Sequence, residues 1–210
     1  MAHSSVLVDE TAIVASTAVL GVPYRPLLND RQRVSRLPTR IGAGCFIGEG
    51  ATIGEGTELG ANTVVDAGVR ISSDVIVGTD VLLLYGCFID MEARIGDGSV
   101  IGNGFVCERS TVGRGCRIFG SLIHAQHNPL VPWDDPEGQE ESPELKDEVF
   151  VGWGATVIGP VILGRRAYVC TGAIVSRPVP SQHIAFGRNQ IVRYDEWPGP
   201  LQKSPFFELE

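Results

Sequence analysis

An aliphatic residue returns at every sixth position over a long central stretch of this chain. Four residues after each one stands a small or β-branched side chain, and the residue directly after it is often Gly or Asp. A helix repeats its faces about every 3.6 residues and a strand every two, so neither produces this period. Short flat strands joined by tight corners do, because each hexapeptide then buries two side chains and glycine supplies left-handed backbone at the corner. The pattern predicts an all-β solenoid. The aliphatic series is Ile41, Ile47, Ile53, Leu59, Val65, Ile71, Val77, Leu83, Ile89, Ile95 and Ile101.

The repeat extends in both directions from this stretch and is interrupted twice. We expect one β-helix domain over residues 1–197, with loops inserted at about 22–40 and 124–144, and a short C-terminal extension over 198–210. One residue is missing from the register, and we place the deletion near Ser110. Loops that leave a solenoid are where binding residues concentrate, so the two insertions are the first places to search for function.

Composition excludes several classes of function. The chain has 210 residues and a net charge of −8, which argues against a nucleic-acid partner because phosphate binding needs a basic surface. Apolar runs fall short of the roughly 20 residues that a membrane-spanning helix needs, so no membrane partner is expected. The opening segment MAHSSVLVDE lacks the basic and apolar regions of a signal peptide, which predicts a cytoplasmic protein.

The five cysteines follow no spacing typical of a metal site. Cys45, Cys87 and Cys116 fall on the small inward position of the repeat, and Cys107 falls on the aliphatic position. Since buried cysteine behaves as a small apolar side chain, we expect these residues to fill the core. No metal is expected.

The residues from Leu145 onward, LKDEVFVGWGATVIGPVILGRRAYVCTGAIVSRPVPSQHIAFG, resemble the hexapeptide-repeat acyltransferases, in particular the galactoside, maltose and xenobiotic acetyltransferase branch. The features that carry the resemblance are an IGxxVWIG-like turn, a G-V-x-IG-like turn, a GAGS-V-like turn and a stop like T-K-D-x-P, in which Arg177 takes the place of the lysine. The resemblance implies a left-handed parallel β-helix and a homotrimer with active sites between subunits. It also implies acetyl-CoA as the cosubstrate.

Two histidines lie in the second loop, SLIHAQHNPLVPWDDPEG. In the family a histidine directly before proline opens such a loop and acts as general base on the acceptor, a task for which a pKa near 6.5 is suited. His127 fits this role better than His124, because His124 falls on an inward repeat position. Asn128 separates His127 from the proline, so the choice between the two histidines stays open.

The same resemblance assigns backbone and cationic groups to the cosubstrate. The amide of Trp153 takes the place of the oxyanion donor, and Thr171, one coil later, takes the place of the amide that contacts the pantetheine arm. Coenzyme A is a polyanion, so arginines near the end of the repeat are candidates for binding its phosphates. These are Arg165, Arg166, Arg177, Arg188 and Arg193.

The sequence thus predicts an acyl-CoA-dependent O- or N-acetyltransferase that acts on a small acceptor such as a sugar, an amino sugar or an antibiotic. The second loop is strongly acidic, which suggests a cationic amine, whereas the basic first loop would suit a sugar nucleotide. A sugar-nucleotide N-acyltransferase and a non-catalytic trimeric scaffold are therefore the alternatives. A γ-type carbonic anhydrase is disfavoured, because its zinc needs three histidines at coil spacing and the chain offers only the His124–His127 pair.

Overall fold

The computed structural model describes residues 5–23, 37–125 and 141–208. In these ranges the chain winds into a left-handed parallel β-helix with three flat sheets, which confirms the predicted solenoid. Each strand up to His183–Phe186 pairs in parallel with a strand of an adjacent coil, as Phe46 does with Val64. The first corner joins the first sheet to the second, the second corner joins the second to the third, and the third corner returns to the first.

The strands are short, most of them two or three residues long. The first sheet contains Val6–Val8, Thr39–Ile41, Glu58–Leu59, Ile76–Val77, Arg94–Ile95, Thr111–Val112, Glu144–Leu145 and Ile162–Leu163. The second contains Ile13–Val14, Phe46–Ile47, Val64–Val65, Leu82–Leu84, Val100–Gly102, Arg117–Ile118, Phe150–Val151, Tyr168–Val169, His183–Phe186 and Gln190–Arg193. The third contains Val19–Val22, Thr52–Gly54, Arg70–Ile71, Phe88–Ile89, Phe105–Val106, Ser121–Ile123, Thr156–Ile158 and Ile174–Val175.

The core is a set of aliphatic ladders that run along the axis of the coil. In the second sheet Ile47, Val65 and Leu83 lie above one another with no exposed surface. Burial of one such side chain stabilises the fold by about 1.5–3 kcal/mol. Because a two-residue strand has few contacts of its own, this stacking between coils is what stabilises it.

Close contact between coils explains why glycine so often follows the aliphatic residue. A Cβ atom placed on Gly48 would lie 2.6 Å from the amide nitrogen of Ala67 in the next coil, so a side chain does not fit there. The neighbouring Gly50 has a φ of +65°, and it supplies the left-handed backbone of the turn.

The register loses residues at the second corner, and the prediction of a deletion near Ser110 was wrong. Ile101 is followed by the next core residue after five positions, at Val106, and Ile118 after four, at Leu122. The aliphatic position therefore belongs to Val106, and Cys107 lies directly after it. The error arose because Val106 and Cys107 are both apolar and only strand pairing distinguishes their positions.

Cys45, Cys87, Cys107 and Cys116 are buried, as expected for core residues. Burial raises the pKa of the Cys87 thiol to about 12 and that of Cys116 to about 11, because a thiolate would lose its hydration. These thiols are therefore protonated at neutral pH and are poor nucleophiles.

The coil ends beyond His183–Phe186, where Gln190–Arg193 turns back and pairs with it in antiparallel fashion. Two 3₁₀ helices, Tyr194–Glu196 and Pro200–Lys203, and a short α-helix, Pro205–Glu208, follow. Phe207 of this helix is buried and its ring stacks on Tyr194 at 4.9 Å. None of the helices in the described part of the chain has the length and apolar character needed to cross a membrane.

The shortened corners predict that alanine substitution destabilises the protein much more at Gly104 than at Gly98. A Cβ atom on Gly104 would overlap the carbonyl oxygen of Gly120 in the next coil. Gly104→Ala should therefore lower the free energy of unfolding by about 3 kcal/mol, as overpacking does. Gly98→Ala, which meets nothing within 4 Å, should show only the cost of its left-handed φ of +64°, about 1 kcal/mol. Equal losses of stability in urea unfolding would contradict this account of the corner.

Candidate functional site at the second corner

Trp153 and Thr171 occupy equivalent turns of consecutive coils at the second corner. In the first turn the amide of Ala155 donates to the carbonyl of Gly152 at 3.1 Å, and Gly154 has a φ of +65°, which defines a type II turn. The turn of Thr171 repeats this geometry. The amide of Gly172 donates to the carbonyl of Trp153 at 2.9 Å, so the two turns are stacked in register.

A type II turn leaves the amide of its first central residue outside the turn's own hydrogen bond. Within the described ranges the amides of Trp153 and Thr171 donate no hydrogen bond, and both residues are exposed. Successive coils lie about 4.8 Å apart, so the corner carries two backbone donors in a row. Such donors can stabilise a carbonyl oxygen and the negative charge that develops on it.

Three aromatic rings lie beside these amides, and we call them the aromatic ledge: Tyr85, Phe119 and Trp153. Phe119 stacks on Trp153 at 4.8 Å between ring centroids, and Tyr85 approaches Trp153 at 6.0 Å. Tyr85 and Trp153 belong to coils three steps apart, about 14 Å along the axis. Their rings meet because the two intervening corners are the shortened ones, and Phe119 fills the space this leaves.

The backbone at Tyr85 is unusual for an aromatic residue. Tyr85 and Gly86 have φ values of +55° and +65°, and the Cys87 amide donates to the Leu84 carbonyl at 3.2 Å. Two left-handed central residues define a type I′ turn, in which Asn-Gly is the favoured pair. A non-glycine residue in this region costs about 1–2 kcal/mol. Sequence reasoning missed Tyr85 and Phe119, although the two short spacings after Ile101 and Ile118 marked this corner.

His124 lies away from Trp153. It is exposed just after Ser121–Ile123 in the third sheet, so its predicted inward orientation was wrong. The physical reason is that the coil has already ended at Ile123, and His124 begins the excursion into the loop. Trp153 precedes the neighbouring strand Thr156–Ile158, so the two residues lie at opposite ends of the third sheet, at least about 10 Å apart. His127 lies outside the described residues.

The five arginines lie close in sequence, but the fold distributes four of them over three corners. Arg165 and Arg166 follow the first sheet, Arg177 follows the third sheet, and Arg188 is exposed at the second corner. Only Arg188 therefore lies on the same edge as Trp153 and Thr171. The fifth, Arg193, forms an ion pair with Asp195 at 2.8 Å.

Arg166 is buried, with 5% of its surface exposed, which fits a structural contact and not a phosphate ligand. Its Nε donates to Glu148 at 2.5 Å, and Arg165 donates to the same carboxylate at 2.9 Å. Hydrogen bonds from Arg165 and Arg166 hold the pKa of Glu148 below its ordinary value.

Among the residues that the structure describes, no group of three His, Cys, Asp or Glu side chains could hold a metal ion. The candidate site comprises the amides of Trp153 and Thr171, the aromatic ledge and Arg188.

Two segments of the chain, residues 38–73 and 147–177, match the family described as the hexapeptide repeat of succinyl-transferase. Both segments coincide with uninterrupted coils, one on each side of the shortened corners. The fold and the repeat define the protein as a hexapeptide-repeat β-helix, and the two matching segments, about a third of the chain, are similar to the hexapeptide-repeat acyltransferases.

Curated relatives match part of the chain. The bifunctional protein GlmU of Shouchella clausii is 28% identical over 107 residues, which is 46% of this chain and 23% of GlmU. GlmU of Psychrobacter arcticus is 23% identical over 115 residues, 50% of this chain and 25% of that protein. The chain thus spans about a quarter of the length of these relatives.

Two solved structures align with most of the chain at low sequence identity. The polysialic acid O-acetyltransferase OatWY is 12% identical with a TM-score of 0.46, over 98% of both chains. A variant of AntD, an N-acyltransferase from Bacillus cereus in complex with dTDP and coenzyme A, is 13% identical with a TM-score of 0.42. That match covers 90% of this chain and 82% of AntD.

The Glu148 contacts predict a pH-dependent contribution to stability. Glu148→Gln should lower the free energy of unfolding by about 1–2 kcal/mol at neutral pH, because it leaves the buried Arg166 without a counter-charge. The effect is smaller than for a fully buried pair, since 37% of the Glu148 side chain is exposed. The carboxyl has a lower pKa in the folded than in the unfolded chain. Its contribution is therefore complete above the unfolded pKa and is lost as pH falls through the folded pKa.

Urea unfolding of both proteins from pH 7 to pH 3 measures this difference. The Glu144→Gln variant is the control, because Glu144 forms its ion pair with Lys146 at the surface and should contribute little. A difference between wild type and Glu148→Gln that stays constant down to pH 3 would rule out the ion pair as its cause.

Proposed function

We propose that the protein is an acyl-CoA-dependent acyltransferase that moves an acetyl group from acetyl-CoA to a hydroxyl or amine of a small acceptor. The observation that carries the proposal is the pair of stacked type II turns at the second corner, whose Trp153 and Thr171 amides donate no hydrogen bond within the described ranges. The similarity of residues 38–73 and 147–177 to the hexapeptide repeat of succinyl-transferase supports this activity. No metal has a part in the proposed reaction.

In the proposed reaction the acceptor's oxygen or nitrogen attacks the thioester carbonyl of acetyl-CoA. A histidine of the second loop takes the proton from the acceptor, and the Trp153 amide stabilises the tetrahedral oxyanion. The C–S bond then breaks, the acetyl group stays on the acceptor, and CoA leaves as a thiolate that the same histidine protonates. The Thr171 amide binds the pantetheine arm one coil further along the corner.

The position of His124 supports a site that is completed by a second subunit. His124 lies at the far end of the third sheet from Trp153, so within one chain it does not reach an acceptor bound at the Trp153 amide. The base therefore comes either from a neighbouring subunit or from His127 in the loop. Both arrangements agree with the homotrimer that the family resemblance implies.

The outer face of the second sheet is the surface that we propose for subunit contact. Its outward positions are apolar over five successive coils, and 42% of Phe46 and 36% of Leu82 are exposed. Further along the same face Tyr168 packs against Phe206 of the chain's own C-terminal helix. The apolar stripe comprises Ile13, Phe46, Val64, Leu82 and Val100.

Oligomer formation through this stripe is tested by sedimentation equilibrium. Wild type should sediment as a trimer and Phe46→Glu as a monomer, because the buried carboxylate would lack a partner. Thr111→Glu on the exposed outer face of the first sheet is the control and should stay trimeric. A trimer that survives Phe46→Glu would place the contact on another face.

The oxyanion role of the Trp153 amide can be tested without disturbing the turn. Proline is favoured at the first central position of a type II turn and lacks the N–H group. Trp153→Pro therefore removes both ring and amide, whereas Trp153→Ala removes only the ring. We expect kcat of Trp153→Pro to be about 10²–10³-fold below that of Trp153→Ala, the usual loss for one oxyanion donor. Acetyl transfer is monitored through the release of the CoA thiol. Equal kcat values for the two variants would exclude the Trp153 amide as the oxyanion donor.

Cosubstrate binding is tested by calorimetric titration with acetyl-CoA and CoA. Arg188→Ala should weaken binding about tenfold or more, as expected for loss of a charge-assisted hydrogen bond to phosphate. Arg114→Ala is the control, because it makes the same change in net charge at the first corner. His127→Ala and His124→Ala then identify the base, which should lose about 10²-fold or more in kcat while binding is kept. Absence of binding at millimolar acetyl-CoA would contradict the transferase and favour a scaffold.

A further inference from the structure

The exposure of the aromatic ledge is not explained by core packing. Tyr85 is 60% exposed and Trp153 45% exposed, so both rings leave much apolar surface in water. The three rings of the ledge nevertheless pack against one another and against the backbone at Gly102. Phe119 stacks on Trp153 with an interplanar angle of 19°, and a Cβ atom on Gly102 would lie 3.0–3.1 Å from the rings of Phe119 and Tyr85. The shortened corners hold the rings in place.

Tyr85 occupies a position whose backbone conformation favours a different residue type. Its φ of +55° suits asparagine, and the next residue is already glycine, so Asn-Gly would fit this type I′ turn better. Because the Tyr85 ring is largely exposed, its burial offsets little of the free-energy cost of the left-handed backbone. Among the described residues with positive φ, Tyr85 is the only aromatic one. Local strain of this kind is an indication of function.

The ledge and the candidate oxyanion site share a residue. Trp153 contributes its ring to the ledge and its amide to the second corner, and the Thr171 amide and Arg188 follow on the side away from Tyr85. If the cosubstrate extends from Trp153 towards Arg188, the Tyr85 side of Trp153 is left for the acceptor. A ring bound there would hold its nucleophilic group next to the thioester carbonyl.

We propose that the aromatic ledge is the acceptor subsite, that it binds the apolar face of a pyranose ring, and that Tyr85 determines this specificity. The assignment deepens the proposed function and rests on it for the acceptor role. Tyr85 and Trp153 are inclined to each other by 46° and lie open to water, so they form a shelf and not a parallel-sided slot. A pyranose can place its axial C–H bonds on such a shelf while its hydroxyls stay hydrated. A flat aromatic ligand would gain little, since its second face would remain in water.

The test uses saturation-transfer NMR with methyl β-D-galactopyranoside and methyl β-D-glucosaminide as probes and phenol as the planar comparison. In the wild type, saturation should reach the axial ring protons of at least one glycoside. Tyr85→Asn should reduce that transfer at least fivefold and should keep or raise Tm, because asparagine accepts the left-handed backbone. Asp80→Asn, a left-handed residue of the first corner, is the matched control and should leave the transfer unchanged.

Three results would overturn the proposal: transfer that is unchanged in Tyr85→Asn, transfer to phenol alone, or no transfer to either glycoside at about 10 mM. Dissociation of a wild-type oligomer by Tyr85→Asn would also overturn it, since the ledge would then be a subunit contact. Failure of the transferase proposal gives a different result. In that case acetyl-CoA does not bind the wild type in calorimetry, while Tyr85-dependent transfer to a glycoside would still establish the ledge as a sugar-binding surface.

Discussion

Stacking of each coil on the next is the constraint on which the rest of the structure depends. A strand of two residues, such as Val64–Val65, forms few contacts within its own coil and gains its stability from the strands one coil before and after it. The inward ladders and the parallel hydrogen bonds are therefore parts of one cooperative array. Any change in the length of one coil is transmitted to its neighbours, because the inward side chains have to stay in register.

The shortened corners show how this array accommodates a change of length. The losses after Ile101 and Ile118 occur at the second corner and leave the three ladders intact. A corner can lose residues because it contributes little to the core, whereas a strand cannot lose its inward residue. The space that is lost in the backbone is occupied by Phe119, and this brings Tyr85 and Trp153 together from coils that would otherwise keep their side chains apart.

The corner also places backbone donors where they could stabilise a negative charge. The type II turns of Trp153 and Thr171 each leave one amide outside the ladder, and stacking places the two donors one coil apart along the edge. Such donors are rigid because the turns are fixed by the coils above and below them. This is the preorganisation that an oxyanion site requires, and it agrees with the proposed acyl transfer. The candidate arginines show the opposite effect of the same geometry, since residues that are close in sequence, such as Arg166, Arg177 and Arg188, are directed to different corners of the β-helix.

The sequence by itself determined the solenoid, the inward ladders and the buried cysteines, because period-six burial is local and each hexapeptide carries its own signal. The resemblance of the segment from Leu145 onward to the hexapeptide-repeat acyltransferases also marked Trp153 and Thr171. Only the tertiary structure decided that Val106 and not Cys107 occupies the aliphatic position of the repeat, that His124 faces outward, and that Arg188 alone of the five candidate arginines shares a corner with the amides. The pairing of Tyr85 with Trp153 likewise depends on three coils at once. Such contacts depend on how the register adds up over several coils and on the direction in which each corner points. A single hexapeptide specifies neither.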